Sequence, residues 1–208
     1  MIQRRIATVA VAAILAMAQV AVADMISVGS TTVQAGSTAE MIISWNGTAA
    51  MQGVNLNLLI GAINPSDPFI APAGTPRITN VQFDLPGYLF SGKADPILPV
   101  YPANGIANFV YLSQMATEAA GTVSGSGNLA RVTFDIAGLT GTWNVVLDNP
   151  DLGQPTYVNG AGGAFLYPTL QNGTFTVQAP EPGTLVGLGW MLLAGLGLGW
   201  RRMRRVGS

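Results

Sequence analysis

The chain has 208 residues and neither cysteine nor histidine, which excludes disulfides, thiol or imidazole nucleophile systems and the usual zinc ligands. Its net charge of −1 averages unlike parts: residues 24–179 hold nine acids and only three bases, a net charge of −6, while six arginines lie towards the two ends. An acidic central region excludes nucleic acid as a partner, which needs a basic face.

At the start, Arg4 and Arg5 precede an apolar stretch over 6–18 that is too short for a comfortable span. Ala21, Val22 and Ala23 then form a small-residue cleavage site ahead of Asp24. This order reads as a secretory signal peptide over 1–23, cut between Ala23 and Asp24.

The region 24–177 has about the length of one domain with a sizeable core, and its Gly, Pro, Ser, Thr and Asn content suits many turns. Alternation predicts strands over 24–28 and 38–45, the latter with Ala39, Met41, Ile43 and Trp45 on one face. Asn46-Gly47 is a turn signal. A strand over 51–60 follows, with Val54, Leu56 and Leu58 on one face and Asn55 and Asn57 opposite. Further strands are expected over 77–83, 106–112, 129–136, 142–147 and 174–177, and a short helix over 113–120. In 129–136, Ala130, Val132, Phe134 and Ile136 face inward. Strands at this spacing, with almost no amphipathic helix, predict an all-β protein built as an antiparallel β-sandwich.

Two loops are long and proline-rich, 61–76 and 84–105. The second carries Tyr88, Phe90 and Tyr101. Aromatic side chains on a stiff loop could stack on sugar rings or dock a protein, since long loops in a compact domain are often functional. The alternative is that they cover the edge of the core.

Catalytic chemistry has little to work with. A glycosidase needs two facing carboxylates; Asp84, Asp95 and Glu118 are present, but their spacing pairs none of them. The stretch Asp148-Asn149-Pro150-Asp151-Leu152-Gly153 offers oxygen ligands, yet Pro150 and Leu152 occupy positions where an EF-hand places ligands. It reads as an Asn-Pro turn. No enzyme activity, cofactor or metal is expected.

The tail, 178–208, has three parts in order. Pro180, Glu181, Pro182, Gly183 and Thr184 form a short polar motif. Residues 185–200 are sixteen positions without a charge, roughly 24 Å as a helix against a hydrocarbon core of about 30 Å. Arg201, Arg202, Arg204 and Arg205 close it, and the positive-inside rule keeps them cytoplasmic. This order resembles the PEP-CTERM sorting tag of Gram-negative bacteria. The resemblance implies a transmembrane helix, an exosortase partner in the inner membrane, and processing near the motif. The protein would then be an inner-membrane precursor that later reaches the cell surface or extracellular matrix.

A second resemblance lies in the middle. The segment GNLARVTFDIAGLTGTWNVVLD over 127–148 and the opening ISVGSTTVQAGSTAEMIISW over 26–45 look similar to cohesin-like domains, sandwiches related to some carbohydrate-binding modules. Where cohesins often carry a Tyr-Asp-Pro step, this chain reads Ala62-Ile63-Asn64-Pro65, and no dockerin-like segment is present. The resemblance implies a module that binds polysaccharide or a surface protein. The alternatives are a purely structural matrix component and a polysaccharide hydrolase.

Overall fold

A computed structural model describes residues 24–67, 69–95, 106–116, 121–148 and 155–180. The described chain is an all-β sandwich with one short 3-10 turn, Ala161–Gly163. Its strands are β1 (Met25–Val28), β2 (Thr31–Gln34), β3 (Thr38–Asn46), β4 (Met51–Ile60), β5 (Arg77–Gln82) and β6 (Phe109–Met115). They continue with β7 (Gly127–Asp135), β8 (Gly141–Leu147), β9 (Tyr157–Gly160), β10 (Phe165–Leu166), β11 (Thr169–Gln171) and β12 (Gly173–Gln178).

The first sheet runs β11-β1-β3-β7-β5. The second runs β10-β9-β4-β8-β12-β2, with β6 on the other edge of β4. Most pairings are antiparallel, as expected, but the first and last segments pair in parallel: β1 with β11 in one sheet, β2 with β12 in the other. Both segments therefore change sheets side by side, at Gly29-Ser30 and at Asn172. The corner is tied by Ser30, whose Oγ accepts bonds from the Thr174 N–H at 3.3 Å and from its hydroxyl at 3.1 Å. Asn172 Oδ1 accepts the Leu147 N–H at 2.8 Å.

The alternation read in β3, and in β7 from Ala130 onward, is the burial pattern observed. Ala39, Met41, Ile43 and Trp45 face the core from one, and Ala130, Val132 and Phe134 from the other. Phe134 of the first sheet meets Phe175 of the second with ring centroids 5.1 Å apart. Each fully buried side chain of this size contributes about 1.5–3 kcal/mol, so such inter-sheet contacts carry the stability that disulfides do not.

One expectation is corrected. The helix over 113–120 does not form where it is described: Ser113 and Met115 lie in β6, paired with Asn55 and Gly53, and Ala116 bridges Ala94. Cross-strand pairing overrides the local helix propensity of this stretch. Residues 117–120 lie outside the described residues. Asn55 and Asn57 lie opposite Val54, Leu56 and Leu58, as expected, and are nonetheless buried, because β4 is a central strand flanked along its length by β6 on one edge and β8 and β9 on the other. The strands β2, β9, β10 and β11, each of two to four residues, had no sequence signal.

Candidate functional site

Because successive side chains of a strand point to opposite faces, Val54, Leu56, Leu58 and Ile60 of β4 fill the core while Gly53, Asn55, Asn57 and Leu59 face outward. Their partners extend this outer face. Met115, Ser113, Tyr111 and Phe109 stand opposite them on β6, and Asn159 and Tyr157 opposite Gly53 and Asn55 on β9. Phe165 of β10 pairs with Asn159. Four strands thus deliver one continuous outer surface.

At one end of this face three aromatic rings gather. Tyr157 meets Phe165 edge-on at 5.1 Å between centroids, and Tyr167 at 6.3 Å. Phe165 and Tyr167 are 61% and 70% exposed, unusual values for rings of this size. Beside them Asn55 Nδ2 donates to the Tyr111 hydroxyl at 2.7 Å. Burial pushes the pKa of that hydroxyl above the ordinary phenol value; Tyr157 adds to the rise and the Asn55 bond opposes it. The Asn55 Oδ1 is buried and accepts no bond among the described residues. Met115 lies across Gly53, where any Cβ would collide with its sulfur, and accepts a bond from Asn159 Nδ2 at 3.4 Å.

The other end is aliphatic and aromatic. Leu59, Ala107 and Phe109 form a separate small cluster with Ile63. Phe69 packs on Phe109 at 6.1 Å and, with Ile70 and Ile106, stays exposed. Between the ends, the β8–β9 connection leaves and returns at one point. The Asp148 N–H donates to the Asn57 carbonyl at 2.9 Å, and Thr156 Oγ1 accepts the Asn57 N–H at 3.0 Å. Asp148, at φ 66°, closes this base through Oδ1, which accepts the Thr156 N–H at 2.9 Å. For a non-glycine residue that left-handed conformation is uncommon and Asp tolerates it better than most.

Of the candidate site residues singled out in sequence, none of the described ones lies on the strands of this face. Phe90 is 0% exposed and packs edge-on against Phe83 at 6.1 Å. It is a core residue and not a surface contact, because its loop folds back over the end of the sandwich, with the Leu89 N–H bonded to the Asn128 carbonyl at 2.9 Å. Tyr88 is half-buried and bridged to Asn128; Tyr101 lies outside the described residues. Asp84 Oδ1 accepts the Gly92 N–H at 2.6 Å and so closes its own loop. The Asp95 N–H donates to the Met115 carbonyl, and Glu118 lies outside the described residues. Among the described residues no three acids gather in a metal-holding group. A shallow hollow at the sheet-switching corner is lined by Ser30, Asn144, Asn172 and Thr174, but the Ser30 and Asn172 groups are engaged in the corner's own bonds.

Of the targeting segments, Asp24 is described. Its Oδ1 accepts the Thr48 N–H at 3.0 Å and its carbonyl the Thr169 N–H at 2.9 Å. Pro180 follows β12 after Ala179 and is exposed. Ala21, Ala23, Glu181, Pro182, Gly183, Thr184, Arg201, Arg202, Arg204 and Arg205 lie outside the described residues, as does 185–200. No helix among the described residues is long and apolar enough to cross a membrane.

The two-sheet topology defines a cohesin-like sandwich. The chain is similar to a non-cellulosomal cohesin from Archaeoglobus fulgidus, with 18% identity and a TM-score of 0.53 over 78% of this chain and 96% of that one. It is also similar to the seventh ScaB type I cohesin of Pseudobacteroides cellulosolvens, with 14% identity and a TM-score of 0.54 over 76% and 94%. A third likeness is to the Coh-OlpC–Doc435 cohesin–dockerin complex from Clostridium thermocellum, with 13% identity and a TM-score of 0.52 over 76% and 95%. No protein-family model and no curated protein sequence matches the chain.

Proposed function

We propose that the chain is an exported binding module, sorted by its tail to the cell surface or extracellular matrix, whose outer β4-β6-β9-β10 face docks a protein. One observation carries the docking reading: Phe165 and Tyr167 are held against Tyr157 yet left in solvent, on a face that also holds a buried acceptor on Asn55. Aromatic anchors held in place yet left in solvent are what an interface centre needs. The fold supports a protein partner, since several similar structures are cohesin–dockerin complexes.

Export and sorting are supported by the order of segments in the sequence. Among the described residues the strands begin at Met25 and end at Gln178, so cuts before Asp24 and after Pro180 would leave every described strand intact. In this reading the precursor sits in the inner membrane and an exosortase acts on Pro180, Glu181 and Pro182.

A second reading, carbohydrate binding, is favoured by the same two rings, because an exposed aromatic face also stacks on sugars. The full chain in detergent, immobilised and offered a dockerin panel and a glycan array, separates them. The expected result is capture of a protein by wild type and its loss in the Phe165→Ala/Tyr167→Ala double variant. Glycan capture lost in that variant would transfer the site to polysaccharide. Indifference of all binding to both rings would return the chain to a structural matrix role.

A further inference from the structure

We infer that the partner of this face is a basic protein segment, one that presents arginine or lysine around an apolar contact. The inference rests on the docking reading above and concerns the charge of the surface that the reading uses.

None of the three cations of the described residues lies on the strands of this face. Arg131, on β7 of the other sheet, pairs with Glu40 at 3.4 Å and donates to Gln82 at 2.8 Å. Arg77 opens β5 opposite Asp135. Lys93 sits in the loop that closes the sandwich end, its N–H bonded to the Phe90 carbonyl, just before Ala94, which bridges Ala116 past the end of β6.

Two acids border that face. At the aliphatic end Asp67 Oδ1 accepts the Phe69 N–H at 2.9 Å, which holds a carboxylate against the backbone of an exposed aromatic residue. Near the middle the Asp148 carboxylate is bonded to Thr156, the residue before Tyr157. The faces of the rings are themselves negative. Anionic margins around aromatic rings match a planar guanidinium, which stacks on a ring and pairs with a carboxylate in one placement. The two anchor groups lie level with Leu59 and Gly53 of β4, about 20 Å apart along the strand at ~3.4 Å per residue. One partner segment could therefore engage both. The surplus of nine acids over three bases in 24–179 would also speed the encounter with a cationic partner.

The test uses the full chain in detergent and synthetic peptides of equal length and aromatic content, graded from acidic to basic. Basic peptides should bind roughly tenfold more tightly than neutral ones, with the advantage shrinking as salt rises. Asp67→Asn and Asp148→Asn should each reduce that advantage, and Glu40→Gln on the other sheet should leave it unchanged. Two variants guard against loosening of the Asp148 loop base. Peptide binding that needs Phe165 and Tyr167 but ignores peptide charge would overturn the basic partner and leave the docking reading standing. Binding by no peptide in a ring-dependent way would overturn both, and ring-dependent binding of glycans alone would do the same.

Discussion

Gly173 and Val28 approach so closely that a Cβ on residue 173 would stand 2.6 Å from the carbonyl oxygen of Val28. The Gly29 carbonyl oxygen would be 2.8 Å away. Both obstacles are backbone atoms of the point where the first segment changes sheets, so neither can swing aside like a side chain. Gly173→Ala should destabilise the domain by about 1–3 kcal/mol, the usual cost of forced overpacking. Urea unfolding followed by tryptophan fluorescence measures it. A variant as stable as wild type would show that the corner relaxes freely.

The buried and exposed phenylalanines should behave oppositely. Phe175→Ala removes a ring that touches Phe134 and Trp143 and should cost about 3–5 kcal/mol. Phe165→Ala removes an exposed ring and should change stability by less than about 0.5 kcal/mol, while weakening ligand capture. Thermal unfolding of the two variants checks this. A large loss of stability in Phe165→Ala would make that ring structural and remove the main support for the docking face.

Tyr111 makes stability depend on pH at the alkaline end. Its hydroxyl has a raised pKa in the folded protein, chiefly through burial. Above the ordinary phenol value of about 10 the unfolded chain has lost this proton while the folded chain still holds it. Stability linked to Tyr111 is therefore complete below that pH and falls as pH rises through the folded value. Tyr111→Phe removes the titration together with the Asn55 bond. It should be less stable at neutral pH by about 1 kcal/mol and decline less steeply above pH ~10. Parallel alkaline slopes for the two proteins would assign the transition to another group.

The two ends predict masses. In a host with an exosortase, intact-mass measurement of the surface form should find Asp24 at its start and the tail absent. Changing Pro180, Glu181 and Pro182 together to alanine should leave a longer, membrane-bound form. Retention of the tail in both proteins would reduce it to a permanent anchor. A surface form that still carries 1–23 would remove the signal-peptide reading.

The sequence alone determined the strands whose alternation runs long enough to be periodic. Thr38–Asn46 and the stretch 130–136 place an apolar side chain at every second position, and that local rule needs no knowledge of neighbours. It also showed the acidic middle, the arginine-bearing ends and the absence of thiol and imidazole chemistry. What it could not decide was which aromatic rings meet solvent. Phe90 and Phe165 both sit in loop-like, turn-rich stretches, yet one is sealed against Phe83 and the other stands beside Tyr157 in water. A cluster of Tyr157, Phe165 and Tyr167 within eleven residues was the available signal, but strands of two to four residues have no period to reveal them. The burial of Asn55 and Asn57 was hidden for a related reason. Side-chain polarity is local, whereas the exposure of a strand depends on what pairs along its edges. Only the tertiary structure brings Phe109–Met115 and Tyr157–Gly160 to opposite edges of β4, and that non-local pairing makes one surface out of residues more than a hundred positions apart.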